Sequence, residues 1–270
     1  MSYTTLMLYV NADSKPEQLL RLATGLANKF DATLIGMSAL AVRPPFVADE
    51  VVVEGVSEVD IRKKLSKREK WFHKIVGTGR PNIEWRSIIA SPTDALAREA
   101  RSADLIVIAQ DPEIRDVYSA LDPARVILKA GRPVLVVPAG VGSLRADHVV
   151  IGWKETREAR RAVQDALPFL HEAVRVNIVE YCSADKKEAT WQHVDDVARF
   201  LSRHEIDADA EVFVTSQDSD STQLTQYATD RGADLLVTGA YGHSRLGEWI
   251  FGGMTRDLLM SSPFCCLMSH

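Results

Sequence analysis

Residues 103–138, ADLIVIAQDPEIRDVYSALDPARVILKAGRPVLVVP, and residues 233–268, ADLLVTGAYGHSRLGEWIFGGMTRDLLMSSPFCCLM, lie over one another at a constant offset of 130 without a gap. The Ala-Asp-Leu openings coincide at Ala103 and Ala233, an apolar run follows in both, and Pro133 falls on Pro263 ahead of a second apolar run. Self-similarity at a fixed long period is the mark of a duplication. The chain therefore reads as two copies of one unit.

Working outward, each half alternates short β-rich runs with longer stretches of helical spacing, the pattern of βαβ units on a parallel sheet. The strands expected in the first half are Thr5 to Val10, Ala32 to Ser38, Asn82 to Ile89, Asp104 to Ala109 and Pro133 to Val137. Those of the second half are Val149 to Trp153, Arg175 to Tyr181, Ala210 to Thr215, Asp234 to Gly239 and Phe264 to Met268. Each copy thus has five strands and four helices, an α/β class. Pro138 to Asp147 carries the small, flexible residues of a linker. It divides the chain into domains 1–141 and 146–270, with the boundary near Gly142.

Among the helices, Pro16 to Phe30 sets Leu19, Leu22, Ala23, Leu26 and Phe30 on one stripe. Val59 to Ile75 shares Ile61, Leu65, Phe72 and Ile75 on one face, with Lys63, Lys64, Lys67, Arg68 and Lys70 mostly facing away. Glu58, Asp60 and Glu69 lie among those cations, so the cluster reads as a solvated helix face rather than a nucleic-acid patch.

Composition agrees. With 270 residues and a formal net charge of -5, the chain is long enough for two cores and offers no general basic surface to a nucleic acid. The first residues, MSYTTLMLYVNADS, do not read as a signal peptide, and no apolar run reaches bilayer length. A cytoplasmic protein with no membrane partner is expected. Cys182, Cys265 and Cys266 are too few for a disulfide framework and read as buried, reduced strand residues.

Chemistry concentrates after the fourth strand of the second copy. There the chain runs Gly239-Ala-Tyr-Gly242-His-Ser-Arg-Leu-Gly-Glu-Trp-Ile-Phe-Gly252-Gly253-Met-Thr255. A phosphate chain needs backbone N–H groups free of an intervening Cβ, and the first turn of a helix supplies such donors with the positive end of its dipole. In an open α/β sheet that loop opens onto the crevice at the carboxyl ends of the strands. Taken singly, each glycine is explained equally well by a tight turn or a helix start.

The run Gly239-x2-Gly242-x9-Gly252 resembles the nucleotide-binding loop of the universal stress protein family, which reads Gly-x2-Gly-x9-Gly-Ser/Thr. Val150-Ile-Gly-Trp-Lys-Glu-Thr-Arg-Glu-Ala159 is similar to that family's first strand and helix start, and with the duplication the resemblance spans essentially the whole chain. It implies two five-stranded parallel sheets in the order 3-2-1-4-5. It also implies ATP, possibly with Mg2+, between strands 1 and 4 of the second copy, and phosphates on Gly239, Gly242, Gly252 and Gly253. His243 and Arg245 stand within the loop, Thr255 just beyond it, and Trp153 and Lys154 at the end of the first strand. Subunits of the family pair through their last strands, here Val134 to Val137 against Phe264 to Leu267. The first copy is then a built-in pseudo-dimer partner, with a homodimer as a further possibility.

Two departures stand out. Gly253 occupies the family's Ser/Thr position, with Thr255 or Ser244 near enough in sequence to substitute. Lys154 occupies a family Asp position, removing an acceptor and adding a cation. In the first copy the positions facing the four glycines are Ala109, Pro112, Asp122 and Pro123, of which the prolines lack N–H groups and the aspartate repels phosphate. That copy is not expected to bind a nucleotide in the same way. Three functions follow: a nucleotide-dependent stress-response or regulatory protein, a slow ATP hydrolase or phosphotransferase, or an interaction module with a decayed site. No metal-ligand or catalytic constellation is present in the sequence to favour the second.

Overall fold

A computed structural model of the chain describes residues 2–48, 51–53, 55–77, 82–111, 118–216, 219–241 and 253–270. The first half runs β1 (Thr5–Tyr9), α1 (Glu17–Lys29), β2 (Thr33–Leu40), β3 (Phe46–Ala48), β4 (Val51–Val53), α2 (Glu58–Val76), β5 (Ile83–Ile89), α3 (Pro92–Glu99), β6 (Leu105–Ala109), α4 (Pro123–Ala130) and β7 (Val134–Val137). The second runs β8 (His148–Gly152), α5 (Arg157–Leu170), β9 (Arg175–Cys182), α6 (Lys187–Arg203), β10 (Asp209–Val214), α7 (Asp220–Asp230), β11 (Leu235–Gly239), α8 (Gly253–Ser261) and β12 (Cys265–Ser269).

Contacts divide the chain into two units. One comprises Tyr3–Arg132 and Ala139–Ser143, the other Met1–Ser2, Pro133–Pro138 and Leu144–His270. In the first, β1 lies parallel between β2 and β6, and β5 extends the sheet beyond β2, so its strands follow the order 3-2-1-4. In the second, β10, β9, β8, β11 and β12 are all parallel and stand in the order 3-2-1-4-5. A sixth strand, β7, pairs antiparallel with β12, Leu135 opposite Leu267. The last strand in sequence of the first copy thus lies in this second unit, at the edge of its sheet.

The strands read as apolar runs because helices cover both faces of a parallel sheet. Leu105 to Ile108 and Leu235 to Val237 are fully buried. Helix α5 shows how sequence sets local structure. Thr156 caps it, its Oγ1 accepting from the Ala159 N–H at 3.2 Å, and Ala159, Ala162, Val163, Ala166, Leu167 and Leu170 form its buried stripe. Thr156→Ala is expected to cost about 1 kcal/mol of stability, the usual worth of an N-cap hydroxyl, measurable by urea denaturation. An unchanged midpoint would show that the cap does not hold the helix start.

Two findings depart from the sequence reading. The antiparallel hairpin of β3 and β4 has no counterpart there, since three-residue strands are too short to show a period. Arg68, assigned to the solvated face of α2, is buried: its Nη2 donates to the Ala12 carbonyl at 2.7 Å. Its guanidinium also lies 5.1 Å from the centre of the Trp71 ring. The long stem lets the charge fold back over the turn and cover apolar neighbours. Cys182, Cys265 and Cys266 are free and buried in strands, and burial pushes the Cys265 and Cys266 thiols up to about 12. Among the described residues no helix is long and apolar enough to cross a membrane.

Candidate functional site

At the carboxyl ends of β8 and β11 the chain forms a cleft of about 180 Å³, in the crevice where the winding of the sheet reverses. One wall is the turn from β8 into α5, with Gly152, Trp153, Lys154 and Thr156. Another is the end of β11 and the start of α8, with Gly239, Tyr241, Met254 and Thr255. Tyr181 of β9 and Asp220 and Leu224 of α7 complete it.

Backbone hydrogen bonds hold these walls. The Trp153 N–H donates to the Val179 carbonyl and the Ala240 N–H to the Ser269 carbonyl, each at 2.8 Å, carrying both turns off the sheet edge in register. Tyr241 follows with φ near +64°, a left-handed conformation uncommon for a large side chain. Its N–H lies 3.4 Å from Oγ1 of the buried Thr255, which ties the loop's first residue to the first turn of α8. Replacing Tyr241 with glycine should relieve about 1 kcal/mol of backbone strain. A thermal shift upward in the variant is the expected reading, and a large downward shift would mean that the ring's packing outweighs the strain.

The glycines divide by role. A Cβ on Gly239 would sit 2.5 Å from the backbone N of Ala159, so this residue is bare because β11 and α5 touch there. Gly253 has nothing within 4 Å of a built Cβ. It opens α8 without a side chain of its own, and Met254 and Thr255 of that first turn line the cleft. The corresponding helix of the first copy differs. Asp122 caps α4, its Oδ1 accepting from the Arg125 N–H at 3.1 Å, and Pro123 follows at the first helical position. That helix end satisfies a donor with its own carboxylate and presents a negative charge where a phosphate would approach.

Of the site residues expected from sequence, the structure gathers Gly239, Thr255, Trp153 and Lys154 around one cleft, with Gly253 at the head of α8. Gly242, Gly252, His243 and Arg245 lie outside the described residues, as do Ser244 and Pro112. Sequence reasoning missed Tyr181, which comes from the second strand, and read Asp220 as part of the loop after the third strand, whereas it opens α7 and lines the cleft. Tyr181 donates from its hydroxyl to the Gln223 carbonyl at 3.0 Å. Burial first, then Asp220 and Glu211, push that phenol up to about 12, so it acts as a neutral donor and apolar wall. An aromatic at the carboxyl end of the strand beside the first was the available signal. Lys154 is exposed and, like Asp220, lines the cleft. Among the described residues no group of His, Cys, Asp or Glu is arranged to hold a metal ion.

Comparison with known proteins gives three findings. The family model of the universal stress protein family matches residues 146–270. The comparison with curated proteins finds no match. Among solved structures, a universal stress protein from Archaeoglobus fulgidus is 12% identical, with a TM-score of 0.71 over 98% of this chain and 97% of its own. A Pseudomonas aeruginosa protein described as of that family is 12% identical, with a TM-score of 0.65 over 99% and 93%. A universal stress protein in complex with cAMP is 22% identical over 52% of this chain and 100% of its own, with a TM-score of 0.36. The two long matches run through both halves of the chain and share its α/β fold.

Proposed function

Residues 146–270 belong to the universal stress protein family, and from that premise we propose that this half of the chain binds a nucleotide, ATP in the first instance, in the cleft between β8 and β11. The observation that carries the reading is the start of α8. Its first residue is a glycine with no described atom within 4 Å of where a Cβ would stand, it follows the glycine loop in sequence, and Met254 and Thr255 of its first turn line a cleft at the carboxyl ends of the strands. Unpaired N–H donors and the helix dipole at that point favour a phosphate. The base and ribose then lie against Trp153, Lys154 and Tyr181, with the phosphates toward Gly253 and the loop residues Gly242, Gly252, His243 and Arg245.

The first copy supports the assignment by contrast, because Asp122 occupies the matching helix end with a carboxylate. It acts as a built-in partner through β7, making an intrachain pseudo-dimer. The physiological role that fits is nucleotide-dependent regulation in a stress response, inside the cytoplasm.

Calorimetric titration of ATP, with and without Mg2+, tests the reading. Saturable binding at one site per chain is expected, lost in a Gly242→Asp, Gly252→Asp double variant whose carboxylates repel phosphate. Lys154→Asp, which restores the acceptor common in the family, should raise affinity for the adenosine portion by about tenfold, the worth of one charge-assisted hydrogen bond. Absence of heat at millimolar ATP in all three proteins would overturn the proposal.

A further inference from the structure

The sheet of the second unit ends at β10, which among the described residues pairs with β9 alone. The Thr215 N–H donates to the Cys182 carbonyl at 2.8 Å, so the odd-numbered residues of this strand turn their backbone groups to β9. Ala210, Val212 and Val214 turn theirs outward, the N–H and C=O row of an open edge. Folded proteins guard such edges with charges, proline or a covering element.

The matching edge of the first copy is guarded. Glu84 and Ser87 are the exposed residues of β5, and Arg86 beside them pairs with Glu99 at 2.7 Å. In β10 the exposed end is apolar: Phe213 is 37% exposed and Val214 45%, and the last three residues of the strand carry no charge. The Glu211 carboxylate is already engaged, accepting from the Tyr227 hydroxyl and from Arg231 Nη2 at 2.6 Å. Phe213 is held from within its own unit, its ring centre 5.8 Å from that of Tyr181 and 5.8 Å from that of Tyr227. A further exposed aromatic, Trp191 at 38%, stands on α6, which packs on β9 and β10. Thr190, Val194, Val197 and Leu201 form the buried stripe of that helix, and His193 and Phe200 line the cavity it shares with α5. Helical spacing therefore places Trp191 on the flank toward the open edge.

We propose that the chain forms a two-fold homodimer by antiparallel pairing of its β10 edges about Phe213, the sheet of the second unit running on from one copy into the other. In an antiparallel pair, residues directly opposite share a face. With the axis through Phe213, that residue meets its own mate, Val212 meets Val214 and Glu211 meets Thr215. Apolar side chains then face apolar ones, and no like charges stand opposite.

The backbone agrees with this register. Phe213, its N–H turned to β9, falls at a non-hydrogen-bonded pair, where opposing side chains stand closest, and the outward groups of Val212 and Val214 exchange bonds on either side of it. A register centred on Glu211 sets carboxylate against carboxylate, and one centred on Val212 sets Phe213 against Glu211. Because α6 covers the two outermost strands, the starts of the two α6 helices stand about 10 Å apart across the axis, the distance at which helices pack. Trp191 lies between them.

Sedimentation equilibrium of the full chain over a range of concentrations is the test. Two short strands and a helix turn make a small interface, so a monomer–dimer equilibrium with Kd on the order of 10 μM is expected. Val214→Pro removes an N–H that points away from β9, a change an edge strand tolerates, and with it a bond across the axis. Phe213→Lys sets two ammonium groups opposite each other. Each should weaken the dimer about tenfold or more, with a native circular dichroism spectrum showing that the variant folds. The register is read by oxidation. Phe213→Cys should give a disulfide-linked dimer, since non-hydrogen-bonded partners lie about 4.5 Å apart at Cα, within disulfide reach. Asp209→Cys, exposed on the same strand, should stay unlinked, its two copies standing about 27 Å apart. A chain that remains monomeric at about 500 μM, well above the expected Kd, overturns the proposal. So does a dimer that both Val214→Pro and Phe213→Lys leave intact, or one in which Asp209→Cys links as readily as Phe213→Cys, since either places the contact elsewhere.

Discussion

Gly239→Ala is expected to destabilise the C-terminal unit by about 2–3 kcal/mol, near the upper end of what overpacking costs in a close-packed interior. The reason is geometric. A Cβ at this position would stand 2.5 Å from the Ala159 N, 2.6 Å from the Glu158 carbonyl carbon and 2.9 Å from the Ala159 Cα. All three are backbone atoms in the first turn of α5, so the clash cannot be relieved by a side-chain rotation. Relief requires α5 to lift from β11, and the start of that helix carries Thr156 and Ala159 of the cleft. If the cleft takes the nucleotide proposed for it, affinity should therefore fall with stability in Gly239→Ala. Gly253→Ala is the control. With open space around its Cβ and the better helix propensity of alanine, it should leave stability within about 1 kcal/mol of the parent. Urea denaturation of both variants is the measurement. Equal stability of Gly239→Ala and the parent would mean that the close approach of α5 to β11 does not constrain the fold.

The second large effect belongs to Glu180. Burial first, with Glu155 adding to it and Lys154 and His193 opposing, raises its carboxyl to about 7 from an ordinary 4.5. A carboxyl raised on folding stabilises the native state fully only below the unfolded value. As pH climbs from about 4.5 to about 7, the unfolded chain releases the proton and the folded chain holds it, so stability declines and levels off above the folded value. Glu180→Gln keeps the shape and removes the ionisation. It should match the parent near pH 4.5 and exceed it above neutrality by up to about 3 kcal/mol, because each tenfold change in proton affinity on folding is worth about 1.4 kcal/mol. Chemical denaturation at the two ends of that range decides it, and a difference between the two proteins that does not change with pH would sink the account.

Most of the architecture was legible along the chain because the signals that carry it are local. Leu105 to Ile108 and Leu235 to Val237 are continuous apolar runs, and a run of that length between helical stretches has one comfortable place, a strand covered on both faces. The offset that aligns Ala103 with Ala233 also aligned the strands that follow, so one unit's reading served both. Gly239, Thr255, Trp153 and Lys154 fall around one cleft because each is tied to the end of a strand or the start of a helix, positions that the βαβ pattern itself brings to one end of the sheet.

What the chain alone determined, then, is the order and kind of its elements apart from the hairpin of β3 and β4, the duplication, and which loop carries the glycines. Tertiary structure decided the rest, for reasons that depend on neighbours distant in sequence. It decided that Gly239 is bare because a helix backbone occupies the space of its Cβ, while Gly253 is bare in open space. It decided that Arg68, drawn by its charge to the solvated face, folds under to the Ala12 carbonyl, since a long stem can bury what a helical wheel exposes. It turned Glu180 away from the cleft its neighbours line. No local period encodes these outcomes, because each is set by which surfaces meet once the sheet has formed.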